Sequence, residues 1–286
     1  MKDTFARLLP QRLRSGTVTI PVVRLQGAIL AGGGALRPQL SLAATAGILE
    51  KAFSHSAPAV AIAVNSPGGS PVQARLIYRR IRDLATEKKK KVLVYVEDVA
   101  ASGGYMIALA GDEIIADPSS IVGSIGVVSA GFGFHEMIRK IGVERRVHTA
   151  GRNKAILDPF QPERKEDVER LKALQLEIHE MFIGLVKERR GSKLADDPDL
   201  FTGAFWTGGR GLELGLVDGL GDMRSHLKSR FGEKTRLKLI GQPRGLFGRR
   251  LPLFAAGAQA ADIAAAATDG LLTALEEQAL WRRFGL

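Results

Sequence analysis

Ala59-Val60-Ala61-Ile62-Ala63-Val64-Asn65-Ser66-Pro67-Gly68-Gly69-Ser70 is a continuous apolar run that stops abruptly at a glycine-rich turn. An apolar run without polar alternation fits a strand covered on both faces, the usual state of a parallel sheet. Val72–Ala85 follows with a helical pattern, then the basic run Lys88–Lys91. The next strand is Val92–Val96, ending near Asp98, and a short helical pattern starts near Ser102. Outward from this pair, Thr17–Leu25 and Glu113–Ala116 are strand-like and Leu42–Phe53 is a helix. Pro162 to about Arg190 predicts the longest helix, with an apolar stripe through Val168, Leu171, Leu174, Ile178, Met181, Phe182 and Leu185 and a stop at Gly191. A smaller α/β unit runs from Trp206 to Ile240. Strands separated by helices predict an α/β fold with a buried parallel sheet and flanking helices. The expected division is a basic segment over 1–16, one domain over 17–240, and a linker with an Ala-rich helical tail over 241–286.

Composition narrows the chemistry. The 286 residues are 45% hydrophobic, enough for a sizeable core and too apolar for a disordered chain. There is no cysteine, so disulfides, cysteine-ligated zinc and a cysteine nucleophile are excluded. The net charge of +11 suits anionic surfaces or simple solubility. The start of the chain has Arg7, Arg12 and Arg14 and only short apolar runs, unlike a signal peptide, and no run is long enough to span a membrane. The expected location is the cytoplasm, with peripheral contact at an anionic inner membrane face as the extension that the basic charge suggests.

Two glycine-rich turns carry the candidate chemistry. After the first strand, Gly68 and Gly69 can present backbone N–H groups with little steric cover, beside the start of a helix. Such a pair could bind a tetrahedral oxyanion; equally, it could be an ordinary strand-to-helix turn. In the second, Asp98-Val99-Ala100-Ala101-Ser102-Gly103-Gly104-Tyr105, small neighbours leave Ser102 open to attack a carbonyl, although serine there is also a common helix N-cap. A nucleophilic serine needs a base. None of His55, His135, His148, His179 and His226 sits in a triad motif, and His179 lies beside the long helix's apolar stripe as a structural residue would. Lys154, ahead of Ala155-Ile156-Leu157 and after the strand-like Val143–His148, is the remaining candidate. A lysine can act as a base only where burial lowers its pKa from about 10.4. No phosphate loop, dinucleotide fingerprint or zinc-protease motif is present, so no cofactor or metal is expected.

Asn65–Gly69, Ala101–Tyr105, Gly123-Ser124-Ile125-Gly126, Gly151…Lys154 and the later Trp206-Thr207-Gly208…Leu214-Gly215-Leu216-Val217-Asp218 occur in the order and spacing of one family. Over roughly Thr17 to Phe231 the chain resembles the signal peptide peptidase A (protease IV) family in its short, single-repeat form. That resemblance implies a Clp-protease/crotonase-like superhelix. It implies Ser102 as nucleophile, Lys154 as general base and then acid, and Ser124 as the hydroxyl that orients the lysine. It also implies an oxyanion hole from the Gly68–Gly69 turn and an amide near Ser102 or Gly103. The implied substrates are short apolar peptides, and the implied assembly is a homo-oligomeric ring whose subunits complete each other's sites. No specific nucleic-acid partner is expected.

Three other readings stay open at the level of sequence. A crotonase-like acyl-CoA enzyme would use the same amides on a thioester. A Clp-like peptidase would use His148 as base. A silent scaffold or nucleic-acid binder would rest on Lys88–Lys91, although no aromatic residue interleaves with that run.

Overall fold

The structure is a computed structural model that describes residues 17–30, 39–241 and 278–286. The expected basic segment 1–16, and residues 242–277 of the expected linker and tail, lie outside the described residues.

Strands β1 (Thr19–Gln26), β2 (Ala59–Ser66) and β3 (Lys91–Ala101) form the parallel centre of the sheet, in the order β3-β2-β1. Every residue of β2 is buried, because helices cover both faces. Val60, Ile62 and Val64 pack with Leu49 and Phe53 of α1 (Leu42–Phe53) and with Ile77 and Ile81 of α2 (Pro71–Lys88). On the other face Ala59, Ala61, Leu93 and Tyr95 pack with Leu227 from a helix late in the chain. The helix starts have the expected local chemistry. Ser41 Oγ accepts from the Ala44 N–H, and Ser70 Oγ accepts from the Gln73 N–H just ahead of Pro71 at the first helical turn. The lysine run is the end of α2: Lys89 takes the left-handed conformation, and Lys90 Nζ donates to the His55 carbonyl.

Strand β3 divides its partners. Leu93–Val96 pairs with β4 (Glu113–Ala116), and Val99–Ala101 pairs with β5 (Ile121–Gly123). The short helix α3 (Gly103–Ala108) follows β3 directly. The helices α4 (His135–Lys140), α5 (Lys165–Arg190) and α6 (Gly208–Glu213) come next, with β6 (Phe205–Thr207) ahead of α6. Then β7 (Gly219–Leu220), α7 (Met223–Phe231) and β8 (Arg236–Leu239) complete the domain. β7 joins β4 and β8 joins β1, both parallel; β5–β6 is antiparallel. The α/β class with a mostly parallel, helix-flanked sheet is therefore present. In the tail, residues 278–282 are helical, and Phe284 packs on Val99, Ala101 and the Phe205 ring.

Three boundaries differ from the sequence reading. β3 continues past Val96 to Ala101, because the polar pair Glu97-Asp98 sits in a bulge rather than at a strand end. Val143–His148 is not a strand: it has no partner strand, its residues are largely exposed, and Arg145 and Arg146 pair with Asp158 and Glu144. α5 begins at Lys165, after Pro162, and only the C-terminal part of its stripe is buried: Phe182 and Val186 are in the core whereas Leu174 is 52% exposed.

Candidate active site

The two glycine-rich turns are brought together at the C-terminal ends of β2 and β3. Gly68 and Gly69 have φ of 104° and 133°, conformations that side chains other than glycine's rarely adopt. A Cβ on Gly68 would stand 2.8 Å from Ser102 Cβ and 3.0 Å from the Gly103 nitrogen, so the turns touch through backbone. A third segment holds the first turn in place. The Ile29 N–H donates to the Gly68 carbonyl at 2.8 Å, and the Ser70 N–H donates to the Ile29 carbonyl at 2.6 Å. In this parallel bridge the N–H of Gly69 itself points away from Ile29. Its nitrogen lies 3.5 Å from where a Gly103 Cβ would be, so it faces the start of α3. The Gly68 N–H is already given to Ser66 Oγ at 3.3 Å, and among the described residues the Gly69 and Gly103 N–H groups have no hydrogen-bond acceptor.

Ser102 stands at the N-cap position of α3 but does not cap it: its side chain makes no capping hydrogen bond. Its backbone, at φ 51° and ψ −121°, lies outside the regions comfortable for a residue with a Cβ. Two bonds enforce that conformation. The Ser102 N–H donates to the Gly123 carbonyl at 2.9 Å, and the Ser102 carbonyl accepts from the Met106 N–H at 3.0 Å. The arrangement is a sharp strand-to-helix elbow that leaves the hydroxyl free and partly exposed.

Ser124 is buried, has φ 53°, and is fixed by its N–H donating to the Ala204 carbonyl at 2.7 Å. The Trp206 motif supports it from behind. A Cβ on Gly123 would meet the Trp206 ring at 2.8 Å, and one on Gly208 would meet the Asp117 carbonyl at 2.1 Å. Lys154 sits in an exposed turn closed by its N–H donating to the Gly151 carbonyl. Among the described residues, no hydrogen bond links it to Ser102 or Ser124. His148 is exposed and likewise unconnected to Ser102. His179 is structural, as its place beside the stripe predicts: its Nε2 donates to the Ile125 carbonyl at 3.0 Å. Among the described residues no three His, Asp or Glu side chains gather as a metal site.

Sequence reasoning missed two supports. Asn65 Nδ2 donates to Asp98 at 2.6 Å, and Asn65 Oδ1 accepts from the Val99 N–H at 3.2 Å. Arg190, buried at the end of α5, donates to Asp218 at 2.8 Å and to the Gly215 carbonyl at 2.7 Å. Lys193 also donates to Asp218, which in turn accepts from the Ile114 N–H. Burial acts to raise the Asp218 pKa, but these donors outweigh it and hold the carboxyl below its ordinary value. Asn65 was visible only as part of a turn, and nothing local marks an arginine as buried.

Residues 85–234 match the model of peptidase family S49. Two Brucella proteins, from B. abortus and B. melitensis, named Na(+)/H(+) antiporter NhaA, are each 68% identical over 98% of this chain, which spans only 39% of their length. Among the described residues no helix is long and apolar enough to cross a membrane. A protein of Synechocystis named as a protease is 32% identical over 67% of this chain and 71% of its own length. Protease 4 of Haemophilus influenzae is 33% identical over 77% of this chain and 36% of its own. The family match covers β3 with its serine elbow, the Ser124 turn, Lys154 and the Trp206 motif, and on that footing the chain belongs to peptidase family S49, the family of signal peptide peptidase A.

Proposed function

We propose that this chain is a serine endopeptidase that cleaves short apolar peptides, with Ser102 as nucleophile, Lys154 as general base and Ser124 orienting the lysine amine. The observation that carries this reading is Ser102: an uncapped, strained serine packed directly against the Gly68–Gly69 turn. Strained backbone persists where the surroundings over-determine it, and such places cluster at reactive sites. In this reading Ser102 Oγ attacks the scissile carbonyl carbon while its proton passes to Lys154 Nζ. The oxyanion accepts hydrogen bonds from the Gly69 and Gly103 N–H groups. Collapse of the intermediate breaks the C–N bond, and Lys154 returns the proton to the leaving amine. Water, deprotonated by the same amine, then hydrolyses the acyl-serine ester.

Lys154 comes from a neighbouring copy of the chain in this proposal. Its exposure within one chain supports that origin, as do the apolar groups of the segment that precedes it: Val128, Phe132, Met137, Ile141 and Val143 are all more than half exposed, Phe132 at 80%. Apolar exposure concentrated in one excursion is the usual mark of an interface. The test is fluorophosphonate labelling of the wild type, Ser102→Ala and Lys154→Ala. Only the wild type is expected to label efficiently. Lys154→Ala labelling at the wild-type rate would refute the dyad.

A further inference from the structure

The register between β2 and β3 breaks next to the site. Val64 pairs with Val96, yet Ser66 pairs with Ala100: two steps on β2 correspond to four on β3. The extra residues form a bulge around Glu97 and Asp98, which Asn65 faces. A bulge deprives backbone groups of their ladder partners and redirects the strand beyond it. Asn65 replaces the missing rung with its side chain. Its Oδ1 accepts the Val99 N–H at 3.2 Å and its Nδ2 donates to Asp98 Oδ2 at 2.6 Å. Its own carbonyl accepts the Gly27 N–H at 3.0 Å, anchoring the segment that leads to Ile29. Asn65 is 3% exposed, whereas Asp98 reaches solvent.

The consequence is positional. β3 leaves β4 at Val96 and takes up β5 at Val99, so the bulge sets where Ala101 and Ser102 emerge relative to Gly68 and Gly69. We infer that Asn65 and Asp98 form a clamp that sets the distance between the nucleophile and its oxyanion amides, which makes Asn65 a positioning residue for the reaction proposed above. The inference rests on that peptidase reading. In this inference the clamp acts by holding geometry, not by touching substrate. Its effect lies on the transition state, where a misplacement of about 1 Å costs on the order of 100-fold in rate.

The experiment measures peptide hydrolysis by four full-length variants. Asn65→Ala is expected to lower kcat at least about tenfold with KM changed less than about threefold. Asp98→Ala, at an exposed position, avoids opening a buried hole and is expected to lower kcat about fivefold at an unchanged melting temperature. Asn65→Asp sets two carboxylates against each other and should be the least active. Combining it with Asp98→Asn restores a donor and acceptors in swapped positions, and should recover at least about tenfold over Asn65→Asp alone. Wild-type kcat in Asp98→Ala, or a swap no better than Asn65→Asp, overturns the clamp. A wild type that neither hydrolyses peptides nor takes a fluorophosphonate sinks the peptidase reading instead. The clamp is then judged by backbone amide exchange over 66–70 and 99–103: faster exchange in Asp98→Ala supports it, and unchanged exchange overturns it.

Discussion

At the scale of single residues, the backbone conformation of Ser102 tells against a helix cap, which supports the nucleophile of the proposed function. Serine is common at N-caps because its hydroxyl satisfies an orphan N–H, and from sequence that reading competes with catalysis. The structure removes the capping bond and adds strain at φ 51°, ψ −121°. Those angles are near the mirror image of an ordinary extended conformation, which glycine adopts without penalty and serine does not. Ser102→Gly is therefore expected to abolish labelling yet raise stability by about 1 kcal/mol over Ser102→Ala, which keeps the Cβ. Urea denaturation of the two variants measures the difference; equal midpoints would mean that the elbow stores no strain.

Among the elements, α5 shows how a correct helix can carry an incomplete account of its burial. Its apolar stripe runs from Val168 to Leu185, but only the C-terminal turns meet the sheet's helices. That end is fastened by Arg190 and Lys193 to Asp218 beside β7. Asp218 is held below its ordinary carboxyl value of 3.8. A depressed folded-state pKa gives stability that is complete above the unfolded value and lost as pH falls through the folded one. Asp218→Asn leaves the buried Arg190 without its counter-charge and is expected to cost about 3 kcal/mol at pH 7. The gap between wild type and variant should close as pH drops below 3.8, measured by denaturant titration across that range. A gap independent of pH would mean that the carboxylate charge contributes nothing.

For the whole molecule, one sheet assembles Gly69, the pair Ser102-Gly103 and Ser124 from three turns, while Lys154 stays on an exposed excursion. If the neighbouring subunit supplies the lysine, then Ser102→Ala and Lys154→Ala proteins, each inactive alone, complement when refolded together. Random mixing across a head-to-tail interface should restore about a quarter of wild-type activity, since only a Ser102 from one parent facing a Lys154 from the other completes a site. No recovery would place the lysine's action within one chain.

The α/β class, the two glycine turns at the ends of β2 and β3, and the serine between small residues were legible in the sequence. Each is written by local chemistry: apolar runs without alternation, glycine where a backbone must pass close, polar residues where a strand ends. The polar-break rule misled at Glu97-Asp98, where a bulge carries β3 onward, and the strand-like Val143–His148 lacks the partner a strand needs. Only the tertiary structure decided that Asn65 fills the bulge, that Arg190 is buried against Asp218, and that Ser102 is strained rather than capping. Those facts depend on which backbone groups lose their partners after distant strands align, and no local pattern of residues encodes that loss.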